Sequence, residues 1–167
     1  MIIYMRHGND EQSHPRYKND PGIRKESRGD IRRHARKLIQ KYGVPDVVYF
    51  SPMVRGIETV QEMDLPSTAK ISVLPELSRF FLKREINFTE IDPISLRRGV
   101  PLFETSDQFK KRSDLIVKAI DQTHPGLTVW CITHALVMKR AAHYYRAQLS
   151  DHQDFLEWFP AKLSSRE

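Results

Sequence analysis

At 167 residues, with 40% hydrophobic and 29% charged residues, the chain has the composition of a soluble globular protein and is neither collagen-like nor wholly disordered. A chain of this size buries roughly 70% of the surface it exposes when unfolded, enough for one domain, expected to span residues 1–167. The excess of 27 Lys and Arg over 21 Asp and Glu, a formal +6, favours anionic partners without choosing between a phosphorylated small molecule, a phosphoprotein and nucleic acid.

The first predicted element is a strand at "IIYM", residues 2–5. The N-terminus has no basic n-region, and Arg6 stands where the apolar core of a signal peptide would continue, so a cytoplasmic location is expected. No apolar stretch approaches the roughly 18 residues of a membrane span. "RHG" at 6–8 follows the strand directly, then a polar, proline-bearing run to residue 26. In "SRGDIRRHARKLIQKYG", Ile31, Ala35, Leu38, Ile39 and Tyr42 form one stripe at helical spacing, with Ser27 and Asp30 as a capping box and Gly43 as the stop. "DVVYF" at 46–50 reads as a second strand, followed by "SPMVRGIET", in which Ser51 is the expected N-cap and Pro52 the first helical residue. Arg55 then falls about one turn into that helix, near the positive end of its dipole, so an anion should offset it.

"KISVL" at 70–74 is the third strand, and Leu74-Pro75-Glu76 closes it. The segment 77–103 has no clear period and carries Arg79, Lys83, Arg84, Arg97 and Arg98 among Phe80, Phe81 and Phe88. Loops this long inside a compact domain are usually functional, and a lid over a pocket is preferred to a solvated loop or a nucleic-acid surface. A helix over about 104–122 turns Phe109, Ile116 and Ile120 inward, "LTVWCIT" at 127–133 is the fourth strand, and a last helix runs from about 135 to 148. The one cysteine, Cys131, lies inside that strand and reads as a buried, inert thiol. All four strands are nearly continuous in apolar residues, as strands covered on both faces are. Their alternation with helices predicts an α/β fold, a three-layer α/β/α sandwich with a mostly parallel central sheet.

In such sheets ligands bind beyond the carboxyl ends of the strands. Arg6 and His7 follow the first strand, Arg55 the second and His134 the fourth, so two guanidinium groups and two imidazoles are expected to converge on one crevice suited to a phosphate. Other signatures fail. C-x5-R is absent because Val137 stands where the arginine is needed, and no Gly-rich nucleotide motif occurs among the seven glycines. HExxH is missing, and His14, His34, His124, His143 and His152 have no spacing that compels a metal.

The ordered set "RHG", "SPMVRGIET", "LPE" and "THA" resembles the histidine phosphatase superfamily, the phosphoglycerate-mutase-like proteins, over residues 2 to about 140. The resemblance implies that His7 attacks phosphorus and becomes phosphohistidine, that Arg6, Arg55 and His134 hold the phosphoryl oxygens, and that Glu76 protonates the leaving group. His134 thus counts with the catalytic residues as well as with the phosphate ligands. It implies no cofactor and no metal. Asn9 and Ser13 are candidate substrate contacts. The chain departs from the family's pattern in having His134-Ala135 for His-Gly and an acidic pair, Asp10-Glu11, beside the pocket. The expected activity is a metal-independent phosphomonoester phosphatase acting on a phosphorylated small molecule or a phosphoprotein. A phosphomutase using the same site is the alternative, and a non-catalytic phosphoprotein-binding module is a third reading. Membrane is excluded as a partner, and nucleic acid is the least favoured.

Overall fold

The computed structural model describes residues 1–10, 20–81, 91–150 and 154–161. The elements run β1 (Ile2–Arg6), α1 (Ser27–Tyr42), β2 (Val47–Phe50), α2 (Val54–Glu62), β3 (Lys70–Val73), a 3₁₀ turn (Pro75–Leu77), α3 (Pro93–Arg97), α4 (Ser106–Thr123), β4 (Val129–Thr133), α5 (Ala135–Tyr145) and β5 (Trp158–Ala161). The sheet order is β3-β2-β4-β1-β5, parallel throughout except for β5, which pairs antiparallel with β1. This is the expected mostly parallel sheet.

Strand side chains alternate between faces, so each β-run feeds two cores. Tyr4, Val47, Val129 and Cys131 pack with Val117 and Ile120 of α4 and with Val137, Met138 and Ala141 of α5. Ile3, Met5, Val48, Trp130 and Ile132 pack on the other face against Ile31, Ala35 and Leu38 of α1 and Val60 of α2. Helices therefore cover both faces, which makes the three-layer sandwich. Cys131 is fully buried, and burial pushes its thiol well up in pKa.

Three local expectations change. β3 is the sheet's outer strand and is exposed along its length, with Ile71 and Val73 facing solvent, so it is not covered on both faces. Glu26, not Ser27, precedes the first turn of α1, and no side chain caps it, so the capping box there does not form. Gly43 does end α1, at φ 83°, with its N–H on Ile39 O. α2 begins at Val54 rather than at Pro52, with Met53 extended before it, and the Val54 N–H is met at 2.9 Å by Asp20 Oδ1, 34 residues upstream. On α4, Ile116 packs partly buried against the core as expected, Val117 is fully buried beside it, and the capping box that forms is the one between Thr105 and Gln108.

β5 has no counterpart in the sequence reading, because its four residues include Pro160, which is tolerated at a sheet edge. Within the segment 77–103, α3 and its flanks form a small satellite core of Phe81, Ile91 and Val100 on Met53, while Arg97 and Arg98 are exposed and Lys83, Arg84 and Phe88 lie outside the described residues. His143, one of the histidines without metal-ligand spacing, is exposed. Among the described residues no helix is long and apolar enough to cross a membrane.

Candidate active site

Three neighbouring strands end at one level. Arg6 is in register with Thr133, and Phe50 with Ile132. The ladder continues one step further: the His7 N–H donates to Thr133 O at 3.1 Å and the Ser51 N–H to Ile132 O at 3.0 Å. The residues that follow β1, β2 and β4 must therefore lie side by side at the spacing of adjacent strands. The His7 and His134 ring centroids are 4.9 Å apart, tilted by 56°. Both side chains are buried, as are Ser51 and Arg55.

Hydrogen bonds fix the orientation of each imidazole. His7 Nδ1 lies 2.8 Å from Gly8 O, and because a carbonyl only accepts, Nδ1 carries the proton and Nε2 of the neutral ring keeps its lone pair. His134 is the opposite tautomer: Arg55 Nε donates to its Nδ1 at 3.4 Å, so its Nε2–H donates to Ser51 Oγ at 2.8 Å. Ser51, the expected helix cap, is instead the partner of His134.

Arg55 stands on the first turn of α2, and its Nη1 is 3.5 Å from Asp10 Oδ2. Arg6 closes β1 and lays its guanidinium 4.1 Å over the Phe155 ring, which also faces His7 at 5.8 Å between centroids. Burial, then Arg55, then Arg6 and Arg79 hold the His7 pKa well below the usual imidazole value, against a smaller upward pull from its bond to Gly8 O. His134 is lowered well below that value in the same way, by burial and then by Arg55, His7, Arg79 and Arg6. Arg55 itself is brought down to about 10, chiefly by burial and by Arg79, with Asp10 and Asp20 opposing. Both imidazoles are thus neutral in a pocket that concentrates positive charge.

Glu76 sits in the 3₁₀ turn after β3. The next residue, Leu77, is buried and accepts a 2.7 Å bond from Thr133 Oγ1, which ties the turn to the end of β4 beside His134. Arg112 of α4, ion-paired with Glu104, donates to the carbonyls of Glu76 and Ser78 and holds the turn from the other side. Glu76 Oε2 is buried with no hydrogen-bond partner among the described residues. Asn9 is half-buried, and its carbonyl accepts from the Arg24 N–H at 2.9 Å; Ser13 lies outside the described residues.

The structure therefore brings Arg6, His7, Arg55 and His134 to one place and adds residues the sequence reading did not put there. Arg79 was placed with the basic loop, yet its charge acts on both histidines and on Arg55. Asp20, Ser51, Thr59 and Phe155 complete the surroundings, together with Asp10, which the sequence reading sets beside the pocket. Gly8 has a packing reason: a Cβ there would meet Ile31 Cδ1 at 2.6 Å. Gly56 has a similar reason, since a Cβ would meet Ser51 O at 2.6 Å. Among the described residues no group of three or more His, Cys, Asp or Glu side chains is arranged to hold a metal ion.

No family model matches the sequence, and a search of curated proteins finds no match. Solved structures do match. The ecdysone phosphate phosphatase of Bombyx mori, in complex with tungstate, is 19% identical, with a TM-score of 0.65 over 94% of this chain and 86% of that one. A mycobacterial glucosyl-3-phosphoglycerate phosphatase in complex with VO3 is 14% identical, with a TM-score of 0.67 over 94% of this chain and 88% of that one. The protein histidine phosphatase SixA, complexed with tungstate, is 19% identical, with a TM-score of 0.56 over 93% and 83%. On these likenesses, the chain shares the fold of these three structures.

Proposed function

We propose that the protein is a metal-independent phosphomonoester phosphatase working through a phosphohistidine on His7. The observation that carries this reading is the His7 Nδ1···Gly8 O contact, which leaves Nε2 as a lone-pair nitrogen inside a buried cationic pocket. A neutral imidazole is the form that can attack phosphorus, and guanidinium groups close by disfavour the protonated form.

In the first half-reaction His7 Nε2 forms a bond to phosphorus, the ester P–O bond breaks, and Glu76 gives its proton to the departing oxygen. In the second, water attacks phosphorus, the Glu76 carboxylate takes a proton from it, and the N–P bond breaks to release phosphate. Arg6 and Arg55 hold the phosphoryl oxygens and stabilise the charge that spreads over them, which is the main catalytic term in phosphoryl transfer. His134 joins them once Arg55 turns from its Nδ1 to the phosphate. His134 Nδ1, released by Arg55, can then accept a hydrogen bond from a protonated phosphoryl oxygen while its Nε2–H stays on Ser51 Oγ. Glu76 Oε2, buried and without a hydrogen-bond partner among the described residues, supports its role at the leaving group. The substrate is a phosphorylated small molecule or a phosphoprotein. The three solved structures described above are all of phosphatases, which supports the same reading.

Purified protein should hydrolyse an aryl phosphate in the presence of a chelator, and brief exposure to radiolabelled substrate followed by alkaline denaturation should leave an acid-labile label on the chain. His7→Ala should lose both signals. Equal hydrolysis by the two proteins would overturn the mechanism.

A further inference from the structure

The phosphate clamp already contains a carboxylate. Asp10 Oδ2 lies 3.5 Å from Arg55 Nη1, with the Asp10 side chain 18% exposed, so one side of it looks out of the pocket. Asp10 is also the acid that acts most strongly on both the Arg6 and the Arg55 guanidinium groups. An electropositive site thus carries its own counter-ion, next to the position an incoming phosphoryl group must take.

That carboxylate cannot withdraw by moving its backbone. Asp10 pairs antiparallel with Ile23 in an isolated bridge, and the Arg24 N–H donates to Asn9 O while Arg24 Nε donates to Asp10 O, each at 2.9 Å. The Ile23 N–H in turn donates to Glu58 Oε2 at 2.7 Å, and Glu58 stands on α2, the helix that carries Arg55. The main chain of Asp10 and the clamp arginine are therefore parts of one framework. A dianion bound to Arg55 meets a like charge on a main chain held beside it, and like charges so close disfavour each other unless a positive group lies between them.

We propose that Asp10 determines specificity at this site, favouring phosphomonoesters whose leaving group carries an ammonium or similar cation within a few bonds of the ester oxygen. The inference rests on the phosphatase reading above and names its substrate class. The cation of such an ester takes over the Asp10 carboxylate as Arg55 turns to the phosphoryl oxygens, so both ion pairs are satisfied at once. An uncharged alkyl ester leaves the carboxylate facing the phosphoryl group.

The test compares O-phosphoethanolamine with ethyl phosphate, which differ at the far end of the leaving group by the ammonium. The wild-type kcat/KM should favour phosphoethanolamine at least tenfold. In Asp10→Asn the preference should fall to threefold or less, with ethyl phosphate cleaved faster than by wild type and inorganic phosphate inhibiting more tightly; a purely structural defect would weaken both. Asp10→Ser serves as a second uncharged variant if Asp10→Asn does not fold. Wild-type protein that cleaves both esters equally well overturns the inference and leaves the phosphatase reading standing, as does a preference that survives both substitutions. Wild-type protein that cleaves neither ester and is not bound by inorganic phosphate overturns the phosphatase reading and the inference with it.

Discussion

The Gly8 N–H donates to Thr59 Oγ1 at 2.9 Å, across 51 residues of chain, and the same hydroxyl donates to Arg55 O at 2.6 Å one turn earlier in α2. One buried threonine thereby joins the end of β1, where His7 stands, to the turn that carries Arg55. Thr59→Val keeps the shape but leaves the Gly8 N–H without its acceptor, which costs about 1–3 kcal/mol for a buried donor. Urea denaturation should show that loss with an unchanged m-value.

Gly8→Ala places a methyl group 2.6 Å from Ile31 Cδ1 and 3.1 Å from Ile31 Cγ1, so the fully buried Ile31 side chain must shift. Overpacking of this kind destabilises by about 1–3 kcal/mol. Adding Ile31→Val removes the Cδ1 atom and should recover a good part of that loss, so the double variant should melt above the Gly8→Ala single variant. Additive losses in the two single variants would disprove the steric account.

Stability should depend on pH through His7 and His134. Both pKa values lie well below normal in the folded state, by burial first and by Arg55 next, whereas in the unfolded chain they sit near 6.5. Below about pH 6.5 the unfolded imidazoles bind protons that the folded ones do not, so the unfolded state gains. The stability is intact above that pH and is lost as pH falls toward the depressed folded values. Thermal melts at pH 7.5 and 5.0 should show this decline, and His134→Gln should make it shallower.

Arg79 is a second source of that depression. Arg79→Met should move the ring titrations of His7 and His134 upward, because a positive charge that opposes their protonation is gone. Histidine ring signals followed by NMR through the pH range give the direction without any assay of activity. Unchanged titration curves would place Arg79 outside the site's electrostatics.

The four parallel strands and the four charged or imidazole residues near their ends were legible in the sequence because each β-rich run is short, apolar and followed within five residues by a polar one. Arg6, His7, Arg55 and His134 needed only the rule that parallel strands present their carboxyl ends together. What stayed hidden depended on contacts far apart in sequence. Asp20 caps α2 from 34 residues upstream, and the Ser-Pro pair that reads as a helix start instead leaves Ser51 facing a histidine 83 residues away. Arg79 looked like one more charge in a basic loop, since nothing local distinguishes it from Arg97 or Arg98, which are exposed. β5 escaped notice because four residues with a central proline carry little strand signal of their own.

The common finishing level of β1, β2 and β4 has a consequence for how this chain can change. Inserting or deleting one residue within any of these strands would displace its terminal side chain by about 3.3 Å and flip it to the opposite face, dismantling the constellation in a single step. The segments that rise above the strand tips are under no such restraint. Length and composition there can vary while Arg6, His7, Arg55 and His134 hold their mutual positions, so this architecture separates the surroundings of the crevice from the four side chains at its base.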